Sequence, residues 1–173
     1  MAKQTVTVGN ASIALASNDD PFNGRVHPQL PLGPTKKQLG ERSQAHIIAR
    51  LLEVGYTVLT PYGDSSRYDL VIEDAEGRFW RVQCKTAWIE GGDDGYIKFA
   101  TTSLRSRSTN GKVQYSRAKY TGQIEYFAVY SHEQRKIYLI PANQAIGNTM
   151  RLRLAPAKNN QEKGVKWASE YEL

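Results

Sequence analysis

The sequence predicts an α/β domain: a mixed central sheet with an amphipathic helix on one face, preceded by an arm of different character. Three observations carry this. Apolar residues recur at helical spacing over residues 36–53, between a capping threonine and a glycine. Six β-rich runs follow, separated by turn residues: 56–60, 68–73, 78–88, 126–131, 136–140 and 150–154. Four of the seven prolines (Pro21, Pro28, Pro31 and Pro34) fall within fourteen residues near the start, where they exclude a regular helix or a central strand.

Bulk properties narrow the class. A chain of 173 residues fits one domain with an appendage and is large enough for a proper core. Its 40% hydrophobic and 23% charged residues are those of a soluble globular protein. No apolar run approaches the roughly 18 residues of a membrane span, and no apolar segment with a cleavage site opens the chain. Cys84, the single cysteine, excludes an internal disulfide framework and suits a reducing compartment. The expected location is therefore the cytoplasm, with no membrane partner. A net charge of +6 points to a polyanion, of which nucleic acid is the commonest.

Residues 1–35 form the arm. Thr5-Val6-Thr7-Val8 alternates and can pair as a short strand, whereas the proline-rich remainder suits an extended or flexible tail, or an arm wrapping a subunit or nucleic acid. The domain occupies residues 36–173. Thr35 is the expected N-cap, and Gly55 the residue past the helix C-terminus. Ala45, Ile48, Leu51 and Leu52 give the helix its period. Glu41 lies four, seven and eleven residues before three of them, which predicts a glutamate on the core-facing stripe.

Three strands are expected next. The run 56–60 stops at Pro61 and a Gly63-Asp64-Ser65-Ser66 turn. The runs 68–73 and 78–88 are joined by Asp74-Ala75-Glu76-Gly77 and read as a hairpin. Asp69 stands at the mouth of the apolar Leu70-Val71-Ile72. Gln83 and Lys85 are two apart and share one face, with Val82 and Cys84 on the other. Taken singly, each has an ordinary reading: a stripe-edge glutamate, a turn aspartate, a solvated strand face. Together they place a carboxylate, an amide and an ammonium on core elements, which is costly unless they satisfy one another or bind something. Such local conflict marks a functional site.

A helix glutamate, a strand aspartate and a Gln-x-Lys on the next strand resemble the PD-(D/E)XK nuclease superfamily. The closer resemblance is to its group I intron-encoded homing endonuclease branch, with a Gln-x-Lys motif. The matching words are Gly40-Glu41-Arg42, Gly55-Tyr56, Tyr68-Asp69-Leu70-Val71-Ile72 and Arg81-Val82-Gln83-Cys84-Lys85-Thr86. Glu125 to Tyr130, Tyr138 to Pro141, Leu152-Arg153-Leu154 and Asn159-Asn160-Gln161 look like the same family, so the resemblance spans residues 38–173.

The resemblance implies a restriction-endonuclease-like core and a Mg²⁺-dependent DNA endonuclease of homing type, with Mn²⁺ able to substitute. It makes Asp69 the central metal ligand, helped by the Gln83 amide oxygen, the Cys84 backbone carbonyl and Glu41. Lys85 would orient or activate the attacking water. Hard Mg²⁺ takes oxygen ligands and keeps several waters, so one or two carboxylates suffice. Tyr68 stands where the superfamily name has proline, and Gln83 brings one charge fewer than glutamate, which predicts weaker metal affinity. A Holliday-junction resolvase with the same site, or a catalytically inactive DNA-binding module, are the other readings. His27, His46 and His132 lie far apart, without zinc-ligand spacing.

The middle of the chain supplies the nucleic-acid partner. Between Asp94 and Glu125 no acidic residue occurs, while Lys98, Arg105, Arg107, Lys112, Arg117 and Lys119 all fall there. Asn110, Gln114, Tyr115 and Tyr120 are interleaved, a mix suited to phosphate and base-edge contacts on double-stranded DNA. The preceding Gly91-Gly92-Asp93-Asp94-Gly95 reads as a turn, since no helix start follows. Two further strands, 126–131 and 136–140, form a second hairpin, followed by a helical turn ending at Gly147 and an edge strand at 150–154. Trp167 and Tyr171 in the tail suit packing on the body or on a partner subunit. One active site cuts one strand, so a double-strand cut calls for a homodimer or higher homo-oligomer. The expected setting is bacterial or phage, at the nucleoid.

Overall fold

The computed structural model describes residues 5–8, 11–14, 33–63, 65–92, 95–156 and 163–173. The chain divides into two compact units, Met1–Pro34 and Thr35–Leu173. In the first, β1 (Thr5–Val8) pairs antiparallel with β2 (Ala11–Ala14), from Thr5 opposite Ala14 to Val8 opposite Ala11. The alternating Thr-Val run therefore pairs as a strand. Pro21, Pro28 and Pro31 lie outside the described residues.

The second unit opens with α1 (Lys36–Glu53), and its ends are set by local chemistry. Thr35 and Gln38 form a reciprocal capping box, the Thr35 hydroxyl accepting from the Gln38 amide and the Gln38 side chain from the Thr35 amide. At the C-terminus Gly55 adopts φ +98°, and its N–H bonds Leu52 O while the Tyr56 N–H bonds Leu51 O. That is a Schellman motif, which satisfies the last carbonyls.

The buried row of α1 is Ser43, Ile47 and Leu51, whereas Ala45 and Leu52 are exposed. The expected stripe through Ala45, Ile48 and Leu52 is thus displaced around the helix, and Glu41 leaves the core face with it. Glu41 is exposed. The cause is Ser43, whose polar letter hides a core position. Its hydroxyl donates to Leu39 O at 2.9 Å and bonds Thr86 Oγ1 at 2.7 Å and His132 Nε2 at 3.0 Å, so burying it costs little. Burying Ile47 and Leu51 stabilises by about 2 kcal/mol each.

Nine strands follow: β3 (Thr57–Leu59), β4 (Leu70–Glu73), β5 (Phe79–Glu90), β6 (Tyr96–Ala100), β7 (Thr102–Thr109), β8 (Lys112–Lys119), β9 (Tyr126–Ser131), β10 (Lys136–Pro141) and β11 (Thr149–Arg153). A seven-stranded sheet runs β10-β9-β5-β4-β3, and the outer end of β5 also pairs with β6, which pairs with β11. β5 and β9 are parallel and the other pairs antiparallel, so the sheet is mixed as expected. α1 covers one face, packing Ile47 and Leu51 on Leu70, Ile72, Val82 and Ala128. The β6–β11 pair supplies the opposite face, where Ile97, Phe99 and Leu152 meet Phe127, Val129, Tyr138 and Ile140. β9 is consequently buried on both sides and reads as a continuous apolar run. The C-terminus is tied on as well, with Leu173 N donating to Ile137 O and Leu139 N to Tyr171 O. Asn159-Asn160-Gln161 lies outside the described residues.

The basic middle segment is regular. β6 joins the sheet, and β7 with β8 forms a separate two-stranded ribbon exposed from Leu104 to Arg117. Asn110 and Gly111 make its turn with φ +51° and +74°, the type I′ geometry suited to an Asn-Gly pair. Ahead of β6, Gly95 has no substitute: an added Cβ would stand 2.1 Å from Glu90 O. His46 and His132 are distant in sequence, yet both lie on Tyr130, with ring centroids 4.4 and 4.8 Å from it and 6.4 Å from each other.

Candidate functional site

The hairpin β4–β5 builds the site. Its register runs from Glu73 opposite Phe79 to Leu70 opposite Val82. Asp69 continues it, its N–H donating to Val82 O at 2.9 Å, so its side chain falls beside Gln83 on the same face. Lys85 is two residues further along that face. Val82 and Cys84 point the other way, into the α1 cluster. The reason is the strand period of two.

Asp69 Oδ2 accepts from the Gln83 side-chain amide and from the Cys84 N–H, the latter at 2.8 Å. The same Gln83 Nε2 stands 3.4 Å from Cys84 O. The Asp69 carboxylate, the Gln83 amide and the Cys84 carbonyl thus converge on one point. Burial pushes the Asp69 carboxyl above its ordinary range, and the Cys84 N–H, Lys85 and Gln83 only partly offset this. Burial, with the Asp69 charge second, also pushes the Cys84 thiol up, so it stays protonated and only its backbone is available to the site. Lys85 Nζ donates to the Tyr120 hydroxyl at 2.9 Å.

A cleft of about 240 Å³ gives access to Asp69, lined by Gln44, Thr60, Pro61, Gly63, Ser66, Tyr68 and Asp69 itself. The helix residue on this cleft is Gln44; Glu41 lies one turn earlier, exposed, and makes no hydrogen bond or ion pair among the described residues. Among those residues no three His, Cys, Asp or Glu side chains cluster to hold a metal. The converging set is therefore one carboxylate, the Gln83 amide presenting its Nε2, and the Cys84 carbonyl oxygen.

The predicted DNA contacts separate into two groups. Arg105, Arg107, Lys112, Tyr115, Arg117 and Lys119 are all exposed on the ribbon. Strand alternation puts Arg105 and Arg107, opposite Ser116 and Gln114, on one ribbon face with Lys112, and Tyr115, Arg117 and Lys119 on the other. Lys98 is not among them. It lies on β6, and its ammonium is paired with Glu90 at 3.0 Å. Tyr120, which holds the site lysine, has no short-range signature; it meets Lys85 from thirty-five residues away.

A mixed sheet buttressed by one helix, with an acid, an amide and a lysine on one face of its central hairpin, defines a restriction-endonuclease-like core. The PD-(D/E)XK endonuclease family model matches residues 35–173, and the chain belongs to that family. It is a nuclease by that membership. Among solved structures it is similar to the bacterial homing endonuclease I-Ssp6803I, at 26% identity and a TM-score of 0.59, over 80% of this chain and 89% of that one. No curated protein matches the chain. No helix among the described residues is long and apolar enough to cross a membrane.

Proposed function

We propose that the chain is a Mg²⁺-dependent, site-specific DNA endonuclease of homing type, acting as a homodimer or higher homo-oligomer. The observation that carries it is the convergence of Asp69 Oδ2, the Gln83 amide and Cys84 O, with Lys85 on the same strand face. A half-turn of the Gln83 amide exchanges Nε2 for Oε1 and makes the donor set all oxygen. Asp69, Gln83 and Cys84 O would then hold the cation, with Glu41 available through water. Bound there, a divalent cation offsets charge on the scissile phosphate and lowers the pKa of water. Lys85 has three donors on a mobile stem, and one already engaged by Tyr120 leaves two for the attacking water and a phosphate oxygen. The ribbon, a two-stranded element with Arg105, Arg107 and Gln114 on one face, has the form that enters a major groove.

The test is incubation of the chain with a genomic-fragment library in Mg²⁺ or Mn²⁺ against EDTA, followed by sequencing of the ends. Metal-dependent ends at one recurrent sequence support the reading. Ends only at supplied four-way junctions indicate a resolvase. Binding without cleavage under any metal indicates an inactive DNA-binding module and contradicts the proposal.

A further inference from the structure

We propose that Tyr120 is a positioning residue for Lys85, and that Arg67 fastens its ring to the root of the β7–β8 ribbon. The proposal rests on the nuclease reading above and adds a link between the DNA-binding element and the site lysine. A lysine at the end of four methylenes is a poor catalytic group unless something fixes it. Here the Tyr120 hydroxyl accepts from Nζ at 2.9 Å, and the ammonium lies 4.9 Å from the ring centroid. The ring itself cannot swing. It is 6% exposed and meets Phe127 edge-on at 5.6 Å.

The second cation explains how the ring is tied to the ribbon. The Arg67 guanidinium sits 4.4 Å from the same centroid. Two cations on one ring repel, so Arg67 must be held by its own bonds. Its Nε donates to Gln123 Oε1 at 2.7 Å, one terminal nitrogen to Ser103 Oγ at 2.8 Å and the other to Lys119 O at 3.2 Å. All three acceptors are uncharged. Ser103 lies in β7 opposite Ala118, and Lys119 ends β8 opposite Thr102, so they form the first rungs of the ribbon. One guanidinium therefore touches both ribbon strands and the ring that holds the site lysine. Its planar fork makes this three-way contact possible; a lysine ammonium is a point charge and cannot span it. Seating the ribbon on DNA is thereby transmitted to Lys85 through two side chains.

The test uses the full chain and a duplex carrying its cut site, in single-turnover cleavage with enzyme in excess. Tyr120→Phe keeps the ring and its packing and removes only the hydroxyl. It is expected to slow cleavage roughly 10- to 100-fold, with duplex affinity in EDTA changed less than about twofold. In a Lys85→Ala background the same substitution should change nothing further, because the hydroxyl acts only through the lysine. Arg67→Ala should slow cleavage by a similar factor, and Arg67→Lys should not restore it. Cleavage by Tyr120→Phe at the wild-type rate, or an equal loss in both backgrounds, overturns the proposal. A second readout needs no cleavage: the ammonium signal of Lys85 in nitrogen-15 NMR should be protected in the wild type and lost in Tyr120→Phe. A signal unchanged by the substitution overturns the positioning role, whereas a wild type that cuts nothing overturns only the nuclease reading.

Discussion

Two aspartates that flank β4, one at each end, are in opposite circumstances. Asp74, at the turn end, has four donors: Oδ1 accepts from the Glu76 and Arg78 amides at 3.0 and 2.9 Å, and Oδ2 from Arg78 Nε at 2.8 Å and Trp80 Nε1 at 2.9 Å. Against the desolvation that raises it, the Arg78 amide and these other donors hold its carboxyl at about 2. Asp69, at the open end, has two donors, both on Oδ2, and burial pushes its carboxyl up. The first carboxylate is satisfied by its own turn and is structural. The second is held by two donors on one oxygen, and burial outweighs them and the Lys85 charge, as expected of the metal ligand proposed above.

The largest effect that sharpens this contrast is on cleavage. Asp69→Ala or Lys85→Ala should reduce the metal-dependent rate about 10³-fold or more, while Asp74→Ala leaves the rate of the folded protein unchanged. Comparable losses from Asp69 and Asp74 would break the contrast. Next comes binding: Arg105→Ala with Arg107→Ala should lower the salt dependence of duplex affinity by about two in slope. An unchanged slope in a salt titration would remove the ribbon from the interface.

Smaller effects fall on stability, with opposite signs for the two carboxylates. A raised folded pKa at Asp69 means that its stability contribution is present at low pH and lost as pH rises through that pKa. Asp69→Asn should therefore raise Tm at neutral pH and flatten that decline, while abolishing cleavage. A depressed folded pKa at Asp74 acts the other way, its contribution being present above the unfolded value and lost as pH falls towards about 2. Asp74→Asn should lower Tm slightly at neutral pH and lessen acid sensitivity below pH ~4. Thermal melts from pH 2 to 8 would read both.

Local chemistry was legible wherever local bonds decide the outcome. The Thr35 cap, the Gly55 stop, the Asp74–Gly77 turn and the shared face of Gln83 and Lys85 all follow from neighbours in sequence. What could not be read depends on distant partners. Ser43 counts as polar until Thr86 and His132 satisfy it, and with Ser43 excluded the helix stripe falls through Ala45 and Leu52, carrying Glu41 with it. The ribbon lacks strand alternation because both its faces are exposed, leaving Asn110-Gly111 as the signal that could have found it. Arg67 and Tyr120 meet across fifty-three positions and carry no motif.

The central claim is that Asp69 is a cation ligand. It is tested most directly by titrating Mg²⁺ and Mn²⁺ into wild type, Asp69→Asn and Asp74→Asn, with heat of binding recorded beside cleavage of a duplex bearing the cut site. Wild type and Asp74→Asn are expected to bind the cation and cut, while Asp69→Asn does neither. Cation binding and cutting that survive in Asp69→Asn would contradict it.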